Sequence, residues 1–271
     1  MRITSIASTA VAATGIAAAL YRERKLRRQA ERFSAAALES LLRAIDANDP
    51  QTGAHVRRVA EYALILADAV GVGEGERRTI ELTALFHDIG KIHEALFDIV
   101  HEPGSLTPAE RRAIATHPGR GAEVLAPIAS FHPRLADAVL SHHERWNGTG
   151  YPRGLKGGAI PFAARVVTIA DTFDAITHRR RYRNGRSSQR AAEIILEGRE
   201  TQFDPALVDL MMLPPVFHRI EVAARQALRR GEKLPGRRQG RAQDEAPKVR
   251  IRWRSRSVAP ERLRQQLEDE R

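Results

Sequence analysis

The sequence predicts an all-α fold, on three observations. Apolar residues recur at intervals of three and four through most of the 271 residues, and helix start and stop residues bound these stretches. No alternating apolar–polar run of strand length appears anywhere. Hydrophobic residues make up 42% and charged residues 28% of the chain, the proportions of an ordinary protein with a packed core.

The chain opens on the uncharged stretch "ITSIASTAVAATGIAAAL" over residues 3–20, followed at once by the basic "YRERKLRRQAER". Two readings stand side by side: an anchor in the inner membrane that leaves the following domain cytoplasmic, or an Ala-rich helix outside the membrane. From Phe33 the helical pattern is continuous. "AALESLLRAID" spaces Ala37, Leu41, Leu42 and Ile45 on one face, and "HVRRVAEYALILADAVG" does the same with Val56, Val59, Ala63, Leu66 and Val70 before Gly71 stops it. "RRTIELTALFHDIGKI", "TPAERRAIATHP", "PRLADAVLSHHE", "PFAARVVTIADTFDAIT" and "SSQRAAEIILEG" follow as helices, with Thr107-Pro108 ahead of Glu110, and Ser187, as start signals. "GVGEGE" is a helix-to-helix turn and not a nucleotide-binding loop, because no strand precedes it.

These patterns divide the chain into a flank at 1–32, a domain at 33–228, and a tail at 229–271 rich in Arg, Gly, Pro and Gln that is expected to be disordered. The net charge of +11 sits in the flanks. Residues 1–32 hold 7 basic against 2 acidic residues and residues 229–271 hold 14 against 7, whereas the domain holds 23 against 24. Basic tails on a neutral domain do not make a nucleic-acid-reading surface, so no specific nucleic-acid binding is expected.

With no cysteine in the chain, a metal must be held by His, Asp or Glu. His55, His87, His117, His142, His143, Asp88 and Asp171 all fall in or at the ends of apolar helical segments, with His87 and Asp88 expected in mid-helix. A carboxylate that deep needs a cation. Seven N and O ligands exceed what one ion takes and suit two divalent ions. Adjacent helical residues point about 100° apart, so His87/Asp88 and His142/His143 each reach two neighbouring metals. A metal pair of this kind hydrolyses phosphate esters. Beyond the double histidine, "WNGTGYP" offers Gly148 and Gly150 for close backbone approach, with Tyr151 and Pro152 behind them. Arg180 and Arg183 follow Asp171 within about three helical turns, placed to hold phosphate oxygens.

The ordered series "HDIGK", "ATHPGRGAEVL", "HHERWNGTGYP" and "IPFAARVVTIADTFDAIT" with "RRYR" resembles the HD-GYP family of metal-dependent phosphohydrolases, bacterial cyclic di-GMP phosphodiesterases, over residues 40–210. The resemblance implies a helical bundle around a buried two-metal site. His55, His87, Asp88 and Asp171 would form the shared ligand set, His117, His142 and His143 would add the second metal position, and Asp88 would bridge the ions, usually iron or manganese. Lys91 would contact the scissile phosphate, Gly150, Tyr151 and Pro152 match the signature tripeptide, and Arg180 and Arg183 align with positions that grip the second phosphate. Implied chemistry is attack by a bridging hydroxide on cyclic di-GMP, giving pGpG and then GMP. The chain departs from the pattern in four places: Gln51 where some members carry a third-metal glutamate, Asn147 for the usual aspartate, Arg181 for the usual proline, and a longer "KIHEALFDIVHEPGSL" without its proline. Two other readings use the same residues: a non-catalytic cyclic di-GMP receptor, and a hydrolase acting on another nucleotide. A homodimer through the N-terminal helix is a further expectation.

Overall fold

The computed structural model describes residues 3–92, 107–178 and 185–232. Among the described residues there are no strands, only two isolated bridges, Asn147 to Lys156 and Arg199 to Phe203. The helices are α1 (Ile3–Asn48), α2 (Pro50–Val70), α3 (Glu74–Phe86), α4 (Pro108–Ile114), α5 (His117–Leu125), α6 (Leu135–Leu140), α7 (Phe162–Thr177), α8 (Ser188–Glu197), α9 (Pro205–Met211) and α10 (Pro214–Glu232).

Local chemistry explains most boundaries. Asp49 caps α2 by accepting from the Gln51 N–H at 2.9 Å, with Pro50 in the first turn. Gly71, at φ 77°, ends α2 in the left-handed conformation that only glycine adopts without strain. Thr107 and Glu110 form the capping box that starts α4, and Ser187 caps α8.

Two apolar clusters form the core. The larger joins α2, α7, α8, α9 and α10 through residues such as Val59, Leu66, Val167, Phe173, Ile195 and Leu207. The smaller packs Leu38 and Ile45 of α1 against Leu82 and Phe86 of α3, Leu125 of α5 and Leu135 and Val139 around α6. A buried ion pair, Arg165 to Asp204 at 2.8 Å, ties α7 to the start of α9.

Residues 3–20 and 33–48 belong to one uninterrupted helix, so no structural break falls at residue 33. Among the described residues no helix is long and apolar enough to cross a membrane. His87 and Asp88 are not in mid-helix: α3 stops at Phe86 and a 3₁₀ turn, Ile89–Ile92, follows. The expected helix over 107–118 is two, broken at Ala115 and Thr116 so that His117 begins α5. Helices α9 and α10 add two elements that periodicity alone did not reveal. The tail beyond Glu232 lies outside the described residues, as does most of the segment after Lys91.

Candidate metal centre

Five element ends and interiors converge where the two core clusters meet. His55 comes from the interior of α2, His87 and Asp88 from the turn after α3, His117 from the first turn of α5, His142 and His143 from the turn after α6, and Asp171 from α7. The sequence-predicted ligands are all brought together, in two groups. His55, His87 and Asp171 present ligand atoms within 4.8 Å of one another, and so do His117, His142 and His143.

Asp88 lies between the groups. Its Oδ1 is 3.3 Å from His117 Nε2 and 3.9 Å from His142 Nε2. Its Oδ2 faces the other group, 3.6 Å from His87 Nε2 and 4.0 Å from His55 Nε2. His55 Nε2 is also 3.3 Å from Asp171 Oδ1. One carboxylate with an oxygen toward each ligand group is the arrangement of a bridging ligand.

The histidine tautomers follow from the outer partners. Nδ1 of His87, His117 and His142 each lies against the carbonyl oxygen three residues earlier, at 2.9, 2.7 and 2.6 Å. A carbonyl only accepts, so each Nδ1 carries the proton and each Nε2 presents a lone pair inward. The consequence is sharp at His117 and His142, whose Nε2 atoms face each other at 3.1 Å. His87 Nε2 and Asp88 Oδ1 are buried without a hydrogen-bond partner. Acceptors converging in a buried space need a cation, and the donor set of imidazoles and carboxylates suits a divalent transition metal.

Electrostatics keep these groups in ligand form. Burial, with the neighbouring imidazoles, holds His142 well below the usual histidine range and brings His143 down to about 4. Burial also lowers His87. Burial alone would raise Asp88 and Asp171, but Lys91, His87 and His117 around the first, and His55 and His87 around the second, hold both below the usual carboxylate range. His55 is the exception. Burial works downward on it, yet Asp171 and Asp174 overcome that effect and push it up to about 9. A bound cation would take over the role these protons play.

At the mouth, Lys91 Nζ donates to Asp88 Oδ2 at 2.7 Å while remaining partly open to solvent. Tyr151 stacks on His143, ring centroids 4.9 Å apart, and burial with the charges of Asp88 and Asp171 pushes its hydroxyl up to about 12. Gly150 is required by close approach: a Cβ there would lie 2.3 Å from the Arg145 nitrogen and 2.5 Å from the Glu144 Cα. Gly148, at φ 85°, and Pro152 complete the same loop. Gln51 is exposed and belongs to neither group. Arg180, Arg181 and Arg183 lie outside the described residues.

Residues beyond the predicted set prove to matter. Buried Glu144 accepts from the Arg153 and Leu155 backbone N–H groups at 2.7 and 3.0 Å and so folds the Tyr151 loop back on His143. Asn147, which stands where aspartate is usual, accepts from the Thr149 N–H and hydroxyl at 3.0 and 2.7 Å, the local turn chemistry an aspartate would supply. Gly90 lets the 3₁₀ turn that follows Asp88 and carries Lys91 press against the start of α5: a Cβ would fall 2.1 Å from the His117 carbonyl oxygen.

The chain is 38% identical over 177 residues to the cyclic di-GMP phosphodiesterase response regulator RpfG of Xanthomonas campestris pv. campestris, covering 65% of this chain and 46% of that protein. It is 35% identical over 175 residues to 3′3′-cGAMP-specific phosphodiesterase 2 of Vibrio cholerae serotype O1, covering 64% and 33%. The chain therefore spans a third to a half of these relatives' length. A crystal structure of the V. cholerae cyclic GMP-AMP specific phosphodiesterase V-cGAP3 superposes with a TM-score of 0.52 at 22% identity, over 70% of this chain and 52% of that one, a likeness of fold. The HD domain family model matches residues 39–207, a span that holds both candidate ligand groups. By that match the chain belongs to the HD domain family.

Proposed function

We propose that the chain is a metal-dependent phosphodiesterase that opens cyclic di-GMP to linear pGpG and then to GMP. The observation that carries this reading is the placement of Asp88, with one oxygen toward each of two buried three-residue ligand groups. Two divalent ions, iron or manganese, fit this donor set, one on His55, His87 and Asp171, the other on His117, His142 and His143. When bound, such ions supply Lewis acidity toward the phosphate and make water a nucleophile at neutral pH.

The chain's own groups do the rest. Lys91, close to Asp88 at the open side, is placed to offset charge that builds on the phosphate oxygens. Gly150 and its loop bring the substrate backbone to the ligand cluster, and the Tyr151 hydroxyl, protonated across the working pH range, offers a hydrogen bond. Arg180 and Arg183 would hold the second phosphate of the dinucleotide. In the reaction a water oxygen bonds to phosphorus, the bond from phosphorus to the ribose 3′ oxygen breaks, and a proton passes to that leaving oxygen.

The relatives named for 3′3′-cGAMP favour a second substrate of the same class, a mixed cyclic dinucleotide. Anaerobically purified chain incubated with cyclic di-GMP and with 3′3′-cGAMP, with and without a chelator, tests both. Metal-dependent appearance of pGpG and GMP supports the first reading. Turnover of the mixed dinucleotide alone selects the second. Binding without turnover of either, in metal-loaded protein, overturns the enzyme and leaves a receptor.

A further inference from the structure

The inner histidines are not oriented in the same way. His87, His117 and His142 stand at helix ends, where carbonyls three residues earlier are free to accept their Nδ1 protons. His55 stands inside α2, between Pro50 and Val70, where the carbonyls are committed to the helix. Its ring must be aimed from outside.

Asp174 of α7 does this. Its Oδ2 accepts from His55 Nδ1 at 2.7 Å, and the carboxylate is itself almost fully buried. Arg58, one turn after His55, donates to the same carboxylate from Nε at 2.7 Å and from Nη2 at 2.9 Å. His178 Nδ1 closes the set at 3.0 Å from Oδ1. Two pairs, each one turn apart, thus face each other: His55 and Arg58 on α2, Asp171 and Asp174 on α7. His55 reaches Asp171 with one ring nitrogen and Asp174 with the other.

We propose that Asp174, held by Arg58, is the positioning residue that delivers His55 Nε2 to the metal. The His55, His87 and Asp171 half of the centre then depends on Asp174, whereas the His117, His142 and His143 half does not. A carboxylate behind a metal-binding histidine fixes its tautomer and raises its basicity, and losing one weakens metal binding by about 10–100-fold. The inference rests on the reading above only in that these residues hold two ions.

The test is Mn²⁺ titration by calorimetry of the full chain, stripped of metal by chelation, as wild type, Asp174→Asn, His55→Gln and the double variant. Asp174→Asn is expected to weaken one of two binding events by about 10–100-fold and to leave the other within about twofold, with the double variant no worse than His55→Gln. Both events within twofold of wild type, or a double variant that loses more than His55→Gln, would overturn the proposal. Should Asp174→Asn fail to unfold cooperatively, Arg58→Gln takes its place: it keeps the carboxylate and removes its clamp. Selective weakening of the same event supports the proposal, and unchanged affinity overturns it. Wild type that binds two Mn²⁺ but hydrolyses no cyclic dinucleotide would end the functional reading and leave this inference standing. Wild-type Mn²⁺ binding in Asp174→Asn would end this inference alone.

Discussion

Replacing Gly90 by alanine should disable the centre through the backbone, without touching a ligand. The added Cβ would sit 2.1 Å from the His117 carbonyl oxygen, 2.7 Å from the Gly121 nitrogen and 3.0 Å from the His117 carbonyl carbon, all main-chain atoms that cannot rotate away. Restoring an ordinary contact of 3.4 Å at the first of these requires the 3₁₀ turn and the start of α5 to part by about 1.3 Å. Asp88 rides on one side of that gap and His117 on the other, now 3.3 Å apart. Metal-ligand distances tolerate only about ±0.2 Å, and a misplacement near 1 Å costs on the order of 100-fold in rate. Overpacking itself should cost about 1–3 kcal/mol. The assay is metal content and cyclic dinucleotide turnover, with thermal unfolding alongside. Gly119→Ala, in the same first turn of α5 but with nothing within 4 Å of its Cβ, is the control and should match wild type in both. A Gly90→Ala protein with wild-type metal content and turnover would refute the close-packing argument.

Glu144→Gln keeps the shape of the side chain but turns an NH₂ toward a backbone donor; losing one charge-assisted hydrogen bond of about 1.5–3 kcal/mol should loosen the Tyr151 loop and raise KM more than it lowers kcat. Asn147→Ala removes two bonds of about 0.5–1.5 kcal/mol each and should raise KM, whereas Asn147→Asp keeps the accepting oxygen and should not, which steady-state kinetics would resolve. The metal-free chain should be most stable near pH 6.5. His143 falls from 6.5 unfolded to about 4 folded, so its share of stability is present above pH 6.5 and is lost as pH drops toward 4. His55 rises from 6.5 to about 9, so its share is present below pH 6.5 and is lost as pH climbs toward 9. Each is worth on the order of 3 kcal/mol, and denaturant unfolding at pH 5, 6.5 and 8.5 in chelator would show a maximum; a flat or monotonic profile would count against these shifts.

The candidate ligands were legible because their chemistry is local to their residue types. His, Asp and adjacent pairs embedded among Leu, Ile and Val announce buried polar groups that need a cation; six of the seven fall into the two groups and Asp88 lies between them. Helix faces were equally readable: Val56, Val59, Ala63, Leu66 and Val70 are all buried. What could not be read depends on contacts between distant segments. The apolar run through Phe86, Ile89 and Ile92 looks like continuing helix, and only the approach of α5 to Gly90 shows why it turns instead. Glu144 acts on main-chain N–H groups nine and eleven residues away, which carry no side-chain signature. Asp174 reads as one more polar position on α7 until α2 is packed against it. Helices α9 and α10 did leave a signal, Asp204-Pro205 as a capped start and Pro214 in a first turn.

The central claim is that Asp88 joins two metal positions into one centre. Electron paramagnetic resonance of the full chain reconstituted with two equivalents of Mn²⁺ tests it most directly. Exchange-coupled dinuclear manganese, formed at two ions per chain and abolished by Asp88→Ala, is the predicted result. An uncoupled six-line Mn²⁺ spectrum at every loading, with a single ion bound per chain, would contradict it.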